Sequence, residues 1–154
     1  LFEYLPLALE RMKRQQQKLA LVFIDIDYFK KINDSLGHEA GDFLLKAFAK
    51  RLKNSIRTCD LAVRLSGDEF VVLMENVTDE AGFIAVEEKI KNLLHEPFSF
   101  EGNISTIALS ASIGISVYPD DATDTKQLLN RADQAMYHVK ASGRGSCCRY
   151  SKYK

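Results

Sequence analysis

The sequence predicts an α/β domain, a two-layer sandwich with a mixed, mainly antiparallel central sheet flanked by helices. Apolar runs of strand length, such as Leu19–Ile26, alternate with longer segments whose apolar residues recur at helical spacing. A Ser-Gly pair separates two strand-like runs and predicts a hairpin, in which neighbouring strands are antiparallel. The predicted order β, α, α, β, β, α, β, α, β is therefore not a plain βαβ alternation.

The elements of the first half follow from apolar spacing. Apolar residues at helical spacing predict an entry helix over residues 1–17. The run Leu19–Ile26 is apolar on both faces, as expected for a central strand that is covered on both sides. One apolar stripe predicts a helix over Glu39–Ile56, which would pack on the sheet. The hairpin strands are then Leu61–Leu65 and Phe70–Met74.

The second half contains two predicted helices and a long predicted strand. A helix over Asp79–Leu94 is followed by Pro97, which cannot continue it. Strict alternation over Ile107–Tyr118 predicts a half-buried strand. The last helix, Asp124–Ala141, is followed by Gly143, a residue suited to a helix C-terminus.

Composition and charge narrow the class of protein. A chain of 154 residues has the size of one domain and can bury roughly 70% of its unfolded surface. The sequence is 46% hydrophobic and 27% charged, as in soluble globular proteins, and no apolar run approaches the ~18 residues of a membrane span. Lys plus Arg equals Asp plus Glu at 21 each, which gives no argument for contacts with nucleic acid or an anionic membrane.

Cysteine usage and the first residues bear on location and context. The cysteines are Cys59, Cys147 and Cys148, and an odd number with an adjacent pair does not match a secreted disulfide framework, so we expect a cytoplasmic domain. The sequence opens within a helix-like segment without Met. We therefore expect residues 1–154 to be a single domain excised from a longer signalling protein, whose sensor or membrane anchor would lie elsewhere.

Two acidic clusters are candidates for a metal site. Asp25 and Asp27 end the first strand, and residues two apart on a strand share a face. Asp68 and Glu69 follow the Ser-Gly turn, and we expect them just past its tip, where the strand fixes their direction. Carboxylates are hard oxygen ligands, which Mg²⁺ prefers. The two clusters together predict one metal site.

Several separated motifs carry a family resemblance. They are FIDIDYFKKIND at Phe23–Asp34, LGHEAGD at Leu36–Asp42 and SGDEF at Ser66–Phe70. From about Leu19 to Arg144 the chain resembles the GGDEF family of diguanylate cyclases. The resemblance implies a nucleotidyl-cyclase palm that condenses two GTP into cyclic di-GMP and pyrophosphate. It also implies a transient homodimer in which each subunit holds one GTP.

The resemblance assigns catalytic roles to Asp25, Asp68 and Glu69. Mg²⁺, with Mn²⁺ as a substitute, would be held by Asp25, Asp68 and the backbone carbonyl of Ile26. The role of Glu69 stays open between binding a second metal, orienting a water and assisting deprotonation of the attacking hydroxyl. Asp27 either orients the metal ligands without binding the metal itself or caps the turn that it enters.

The resemblance also assigns nucleotide contacts. Backbone N–H groups after the first strand would bind the terminal phosphates. Asp42 would accept hydrogen bonds from guanine, and Asn33 would contact the same base. Lys140 and Arg144 would bind phosphate, although cations near a helix C-terminus are also favoured by the helix dipole. The positions assigned to the nucleotide are Tyr28, Phe29, Lys30, Asn33, Asp42, Ser66, Gly67, Lys140 and Arg144.

Arg57-Thr58-Cys59-Asp60 matches the RxxD motif at which this family binds its own product, cyclic di-GMP. Arg57 can make paired contacts to a phosphate or a guanine edge, and Asp60 can accept from a second guanine. The alternative is an exposed Arg–Asp pair of negligible energy. The resemblance therefore predicts product inhibition through Arg57 and Asp60.

Ser66 replaces the first glycine of the family signature, and it leaves two functions open. If that position requires a positive φ, serine costs about 1 kcal/mol there. The first function is an active diguanylate cyclase. The alternative is a weak or inactive module that binds GTP or cyclic di-GMP and regulates an attached domain, such as an EAL phosphodiesterase.

Overall fold

The computed structural model describes residues 1–100 and 106–153. Its helices are α1 (Tyr4–Gln15), α2 (Phe29–Leu36), α3 (His38–Ser55), α4 (Glu80–His95), α5 (Thr125–Ala141) and α6 (Tyr150–Tyr153). Its strands are β1 (Leu19–Ile26), β2 (Leu61–Ser66), β3 (Glu69–Glu75), β4 (Phe98–Ser99), β5 (Thr106–Ile107), β6 (Ala111–Tyr118) and β7 (Cys147–Arg149). Within these residues, no helix combines the length and the apolar composition that crossing a bilayer would require.

The five-stranded sheet has the order β2-β3-β1-β6-β7. Strand β1 pairs antiparallel with β3 and β6, and β2 pairs antiparallel with β3. The β6–β7 pair is parallel, and β4 and β5 form a separate two-stranded antiparallel sheet. The predicted α/β class, with a mixed, mainly antiparallel sheet flanked by helices, is confirmed.

Alternate residues of β1 face different helices. Leu19, Leu21 and Phe23 belong to a buried cluster with residues of α1 and α5. The intervening apolar residues of β1 pack in a second cluster with α3 and α4. Because side chains alternate along a strand, Asp25 continues the first series and points to the side of α5. This alternation determines which helix can supply a partner to Asp25.

Strand β6 differs from the half-buried strand predicted over Ile107–Tyr118. It begins at Ala111 and is buried on both faces, because α5 approaches the small residues that the alternation placed towards solvent. A Cβ on Gly114 would lie 2.0 Å from the carbonyl oxygen of Ala132. Ser116 Oγ donates to the carbonyl of Leu128 over 2.8 Å. Small size at these positions indicated close helix packing and not exposure.

The predicted helix boundaries agree with the observed caps. Asp79 caps α4 by accepting a hydrogen bond from the Gly82 N–H over 2.8 Å, and Asp124 caps α5 in the same way. Beyond α5, Gly143 has a φ of 116°, a conformation that glycine adopts without strain. The chain then turns back so that β7 can pair with β6.

Candidate active site

The hairpin between β2 and β3 carries two of the predicted catalytic carboxylates. Ser66 ends β2 and pairs with Glu69, which begins β3, so the two-residue loop is Gly67-Asp68. The expectation that Ser66 and Gly67 form the tip is therefore wrong by one residue, and Asp68 lies within the turn. Gly67 has the positive φ of 40° that the turn requires, whereas Ser66 is a strand residue with no positive φ. The strain expected at Ser66 does not arise.

Three hydrogen bonds hold this hairpin end. Arg64 Nε donates to the carbonyl of Gly67 over 2.7 Å, and Ser66 Oγ donates to Glu69 Oε2 over 2.7 Å. The N–H of Ile26, at the end of β1, donates to the carbonyl of Asp68 over 3.2 Å. The loop that carries Asp68 is thereby fixed to the strand that carries Asp25.

The sheet register brings Asp25 next to this hairpin. Asp25 pairs with Glu69 across the β1–β3 ladder and is 7% exposed. Its Oδ2 forms an ion pair with Lys140 Nζ of α5 at a distance of 2.9 Å. Burial raises the pKa of Asp25, and the ion pair with Lys140 opposes that rise. The negative charges of Asp68 and Glu69 raise it further, so three carboxylates share one region.

This cluster has the donor chemistry of a Mg²⁺ site. Among the residues described, no three His, Cys, Asp or Glu side chains are already gathered around a common metal position. Mg²⁺ usually takes one or two carboxylates together with substrate phosphates and waters, and it seldom uses an all-protein cage. Asp25, Asp68 and the carbonyl of Ile26 offer hard oxygens at one end of the sheet, where the crowding of negative charge favours a cation. The residues therefore fit the metal that the resemblance implies.

Asp27 lies nearby but is occupied by protein donors. Its carboxylate accepts hydrogen bonds from Ser110 Oγ and Ser112 Oγ, each over 2.6 Å, and from the N–H of Gly145 over 3.0 Å. Asp27 is buried, and its three donors come from both ends of the β6–α5 segment. The geometry therefore favours a structural role, in which Asp27 fixes the loop after α5 to the end of β1.

The start of α2 combines free N–H groups with nearby cations. The first N–H groups of a helix lack intrahelical partners, and in α2 these include Phe29 and Lys30. Tyr28 precedes them with a φ of 56°, and its ring is 53% exposed. Arg144 and Lys31 place their cationic groups 4.9 Å and 4.6 Å from the centre of that ring. The predicted phosphate positions before α2 and after α5 are thus brought together.

The predicted guanine contacts lie where α2 meets α3. Asn33 Oδ1 is buried and, among the described residues, accepts no hydrogen bond. Gly41 makes room for this amide, since a Cβ there would lie 1.8 Å from Asn33 Oδ1. Asp42 follows Gly41 and is exposed. A buried amide oxygen without a protein partner indicates that a ligand or water completes its hydrogen bonding.

The RxxD residues lie away from the acidic cluster. Arg57 and Asp60 line a pocket of about 150 Å³ together with Glu75 and Lys89. Glu75 is the last residue of β3 and Glu69 is the first, so the length of a strand separates this pocket from the catalytic candidates. Asp60 Oδ2 accepts from the N–H of Arg57 over 3.0 Å. The Arg57 guanidinium makes no ion pair with Asp60 among the described contacts.

Sequence reasoning missed Asp133, a residue of α5 close to the cluster. Partial burial raises the pKa of Asp133, the charge of Glu69 raises it further, and Lys140 lowers it. Asp133 precedes Lys140 by seven residues, which is two helical turns, so both lie on one face of α5. That spacing was a signal available in the sequence. Arg64, which holds the hairpin, had no comparable signal.

These features were compared with known proteins. A family model described as "Diguanylate cyclase, GGDEF domain" matches residues 1–146. The chain belongs to the GGDEF family. In a GGDEF domain, the acidic hairpin described above is the family signature, which here has the form SGDEF.

The proteins similar to this chain include a diguanylate cyclase and a cyclic di-GMP phosphodiesterase. Diguanylate cyclase TpbB of Pseudomonas aeruginosa is 40% identical over 90% of this chain. Cyclic di-GMP phosphodiesterase NbdA of the same organism is 37% identical over 94% of it. The crystal structure of the TpbB GGDEF domain matches with a TM-score of 0.88 and 39% identity, covering 92% of this chain and 88% of that one. The chain spans 32% of the length of TpbB and 18% of that of NbdA.

Proposed function

We propose that this GGDEF domain is a diguanylate cyclase that condenses two GTP into cyclic di-GMP, with one GTP held by each subunit of a transient homodimer. The register that places Glu69 beside Asp25, with Asp68 in the adjoining turn, carries the proposal. It brings the candidate catalytic carboxylates to one sheet end next to Lys140, which is the arrangement that transfer of a charged phosphoryl group requires.

In this proposal Asp25, Asp68 and the carbonyl of Ile26 would hold Mg²⁺, or Mn²⁺ in its place. A metal held there would supply neutralisation of the negative charge on the triphosphate. The 3′-oxygen of each GTP bonds to the α-phosphorus of the other, and each α-phosphorus loses its bond to pyrophosphate, so that two GTP give one cyclic di-GMP and two pyrophosphates. Glu69 supplies a further carboxylate at this point, either for the hydroxyl proton or for a second metal.

The remaining residues bind and orient GTP. The free N–H groups at the start of α2 and the side chains of Lys140 and Arg144 would bind phosphate oxygens. Asp42 would accept hydrogen bonds from guanine, and the unpartnered amide of Asn33 supports a contact with the same base. Ser66 and Gly67 would border the nucleotide at the hairpin. Adenine lacks the paired donors that a carboxylate accepts, so we expect discrimination against ATP.

Product inhibition is the regulatory part of the proposal. The pocket that Arg57 and Asp60 line would bind cyclic di-GMP, with Arg57 on a phosphate or guanine edge. A guanidinium without an ion pair to its neighbouring Asp60 supports this role, because it remains available to a ligand.

A second candidate function is a regulatory module that binds GTP or cyclic di-GMP without turnover. The similarity to a protein named as a phosphodiesterase favours it. In that case the domain would act on an attached domain, such as a C-terminal EAL phosphodiesterase, in response to an N-terminal sensor. The whole protein would then be cytoplasmic or would present this domain to the cytoplasm.

The test is product formation by the chain fused to a dimeric coiled coil. GTP and Mg²⁺ are supplied, and cyclic di-GMP is measured beside an Asp68→Ala variant of the same fusion. We expect product from the parent and at least a hundredfold less from the variant, because a charged metal ligand is lost. The change corresponds to an increase on the order of 3 kcal/mol or more in the activation free energy. GTP binding without product in the parent would favour the regulatory module instead.

A further inference from the structure

Ser66 makes a contact that the glycine of the family signature cannot make. Its Oγ donates a hydrogen bond to Glu69 Oε2 over 2.7 Å. The two residues pair directly across the hairpin, and directly opposed side chains share a face of the sheet. The register shifts between Arg64 and Ser66, which is the mark of a bulge, and bulges often re-aim side chains beside active sites. The contact thus follows from backbone pairing.

Glu69 needs such a contact because its surroundings are negative. Its charge acts on Asp25 and on Asp133, so Glu69 lies within electrostatic reach of both carboxylates. Lys140 pairs with Asp25 over 2.9 Å. A carboxylate repelled by two others and not held by a donor would turn towards solvent. The Ser66 hydroxyl supplies the donor that keeps Glu69 at the mouth of the cluster.

We propose that Ser66 is a positioning residue for the cyclase reaction, in which its hydroxyl holds the Glu69 carboxylate in the orientation used for catalysis. This inference rests on the proposed function. Serine at this position is then an alternative solution to the signature glycine: Gly67 supplies the positive φ of the turn, which leaves the preceding position free to carry a side chain.

Three substitutions in the coiled-coil fusion separate the hydroxyl from the rest of the side chain. Ser66→Ala keeps the Cβ and removes the hydroxyl, Ser66→Thr keeps the hydroxyl, and Ser66→Gly restores the family signature. We expect Ser66→Ala to lower kcat about ten-fold, equivalent to about 1.4 kcal/mol, with KM for GTP changed less than about two-fold. Ser66→Thr should retain most of the parental kcat.

Parental kcat in Ser66→Ala would overturn the proposal. A kcat above the parental value in Ser66→Gly would also overturn it, because the side chain would then be an obstruction to the nucleotide. A change confined to KM would have the same consequence, since it would indicate a contact with GTP and not with Glu69.

A double-mutant cycle tests the contact without turnover. Ser66→Ala, Glu69→Ala and the double variant are compared by thermal unfolding without nucleotide. We expect the shift in Tm of the double variant to fall short of the sum of the single shifts by about 1–4 °C. Additive shifts would show that Ser66 and Glu69 do not interact. That result would overturn the positioning role of Ser66 but not the cyclase. Absence of product from the parent fusion would overturn the cyclase and, with it, the catalytic role of Ser66.

Discussion

Tyr28 lies between two regions that the chain keeps far apart in sequence. Its ring contacts the cations of Lys31, in the same helical turn, and of Arg144, beyond α5. Exposed cation–π contacts contribute about 0.5–1 kcal/mol each. The ring can therefore keep two cations near the phosphate position without neutralising either of them.

Replacing Tyr28 should weaken nucleotide binding without loss of stability. Tyr28→Asn removes the ring, while Asn tolerates the positive φ of 56° at this position. We expect GTP affinity to fall about two- to five-fold and Tm to be unchanged or higher, as measured by calorimetric titration and thermal unfolding. Tyr28→Phe is the matched control and should bind GTP like the parent. Equal weakening in both variants would assign the effect to the phenol hydroxyl.

Residue identities predicted the candidate site best where the local backbone determines the position of the side chain. Asp25 and Asp68 were predicted near one another, and the register brings their elements together. The alternatives for Asp27 could not be decided from the sequence, because its partners, Ser110 and Gly145, are more than eighty residues away in the chain. Lys140 was expected on phosphate, and its ion pair with Asp25 depends on how α5 packs.

Among the elements, α5 packs closely on β6 at Gly114, where the sheet carries no side chain. Gly114→Ala would bring a Cβ to 2.0 Å from the Ala132 carbonyl and 2.3 Å from the Met136 nitrogen, both backbone atoms. We expect a loss of about 1–3 kcal/mol or more in the free energy of unfolding, measured with denaturant.

Gly82→Ala is the control for this prediction. A Cβ on Gly82 would meet side-chain atoms of Val77 and Asp79 at 3.2 Å and 3.3 Å. These atoms need to shift only slightly, so the change should stay within about 1 kcal/mol. Similar losses in the two variants would contradict close packing of α5 on β6.

Ion pairs connect the last strand, β7, to α4. Arg149 of β7 is 6% exposed, pairs with Glu80, and lies 3.6 Å from Glu87. Lys152 also contacts Glu80, over 3.1 Å. These pairs, the one with Arg149 first, hold the pKa of Glu80 below its ordinary value. A carboxylate with a lowered pKa stabilises the fold above its unfolded pKa, and that stabilisation is lost as the pH falls through the folded pKa.

Glu80→Gln should therefore matter near neutral pH and not in acid. We expect the variant to unfold at a lower temperature than the parent at pH 7, and the difference to disappear as the pH falls through the lowered pKa of Glu80. The same difference in Tm between variant and parent at every pH would show that the charge of Glu80 does not contribute to stability. Glu88→Gln, an exposed residue of the same helix, is the control and should leave Tm unchanged at both ends of the range.

At the scale of the whole molecule, the acidic cluster and the RxxD pocket lie at opposite ends of β3. A ligand in the RxxD pocket would therefore lie apart from the acidic cluster. Glu75, which lines the pocket, also accepts hydrogen bonds from Tyr4 and Arg11 of α1. The pocket thus adjoins the entry helix as well as the sheet.

Arg57→Ala should relieve inhibition and leave catalysis intact. In the coiled-coil fusion we expect the same initial rate as the parent and a higher final level of cyclic di-GMP, because the guanidinium that would bind the product is gone. Thr58→Ala, within the same tetrapeptide, should behave like the parent. Equal sensitivity of the parent and the Arg57 variant to added cyclic di-GMP would contradict an inhibitory site at this pocket.

Local apolar spacing and motifs that are continuous in the chain were enough to predict the α/β class, the four longer helices and the family. Tertiary structure decided the burial of both faces of β6, the exact tip of the hairpin, and the partners of Asp27 and Lys140. Each of those depends on the distance between segments remote in sequence, which no local pattern records. Ser66 illustrates the difference: the sequence marked it as a departure from the signature, and only the pairing of β2 with β3 placed its hydroxyl on Glu69.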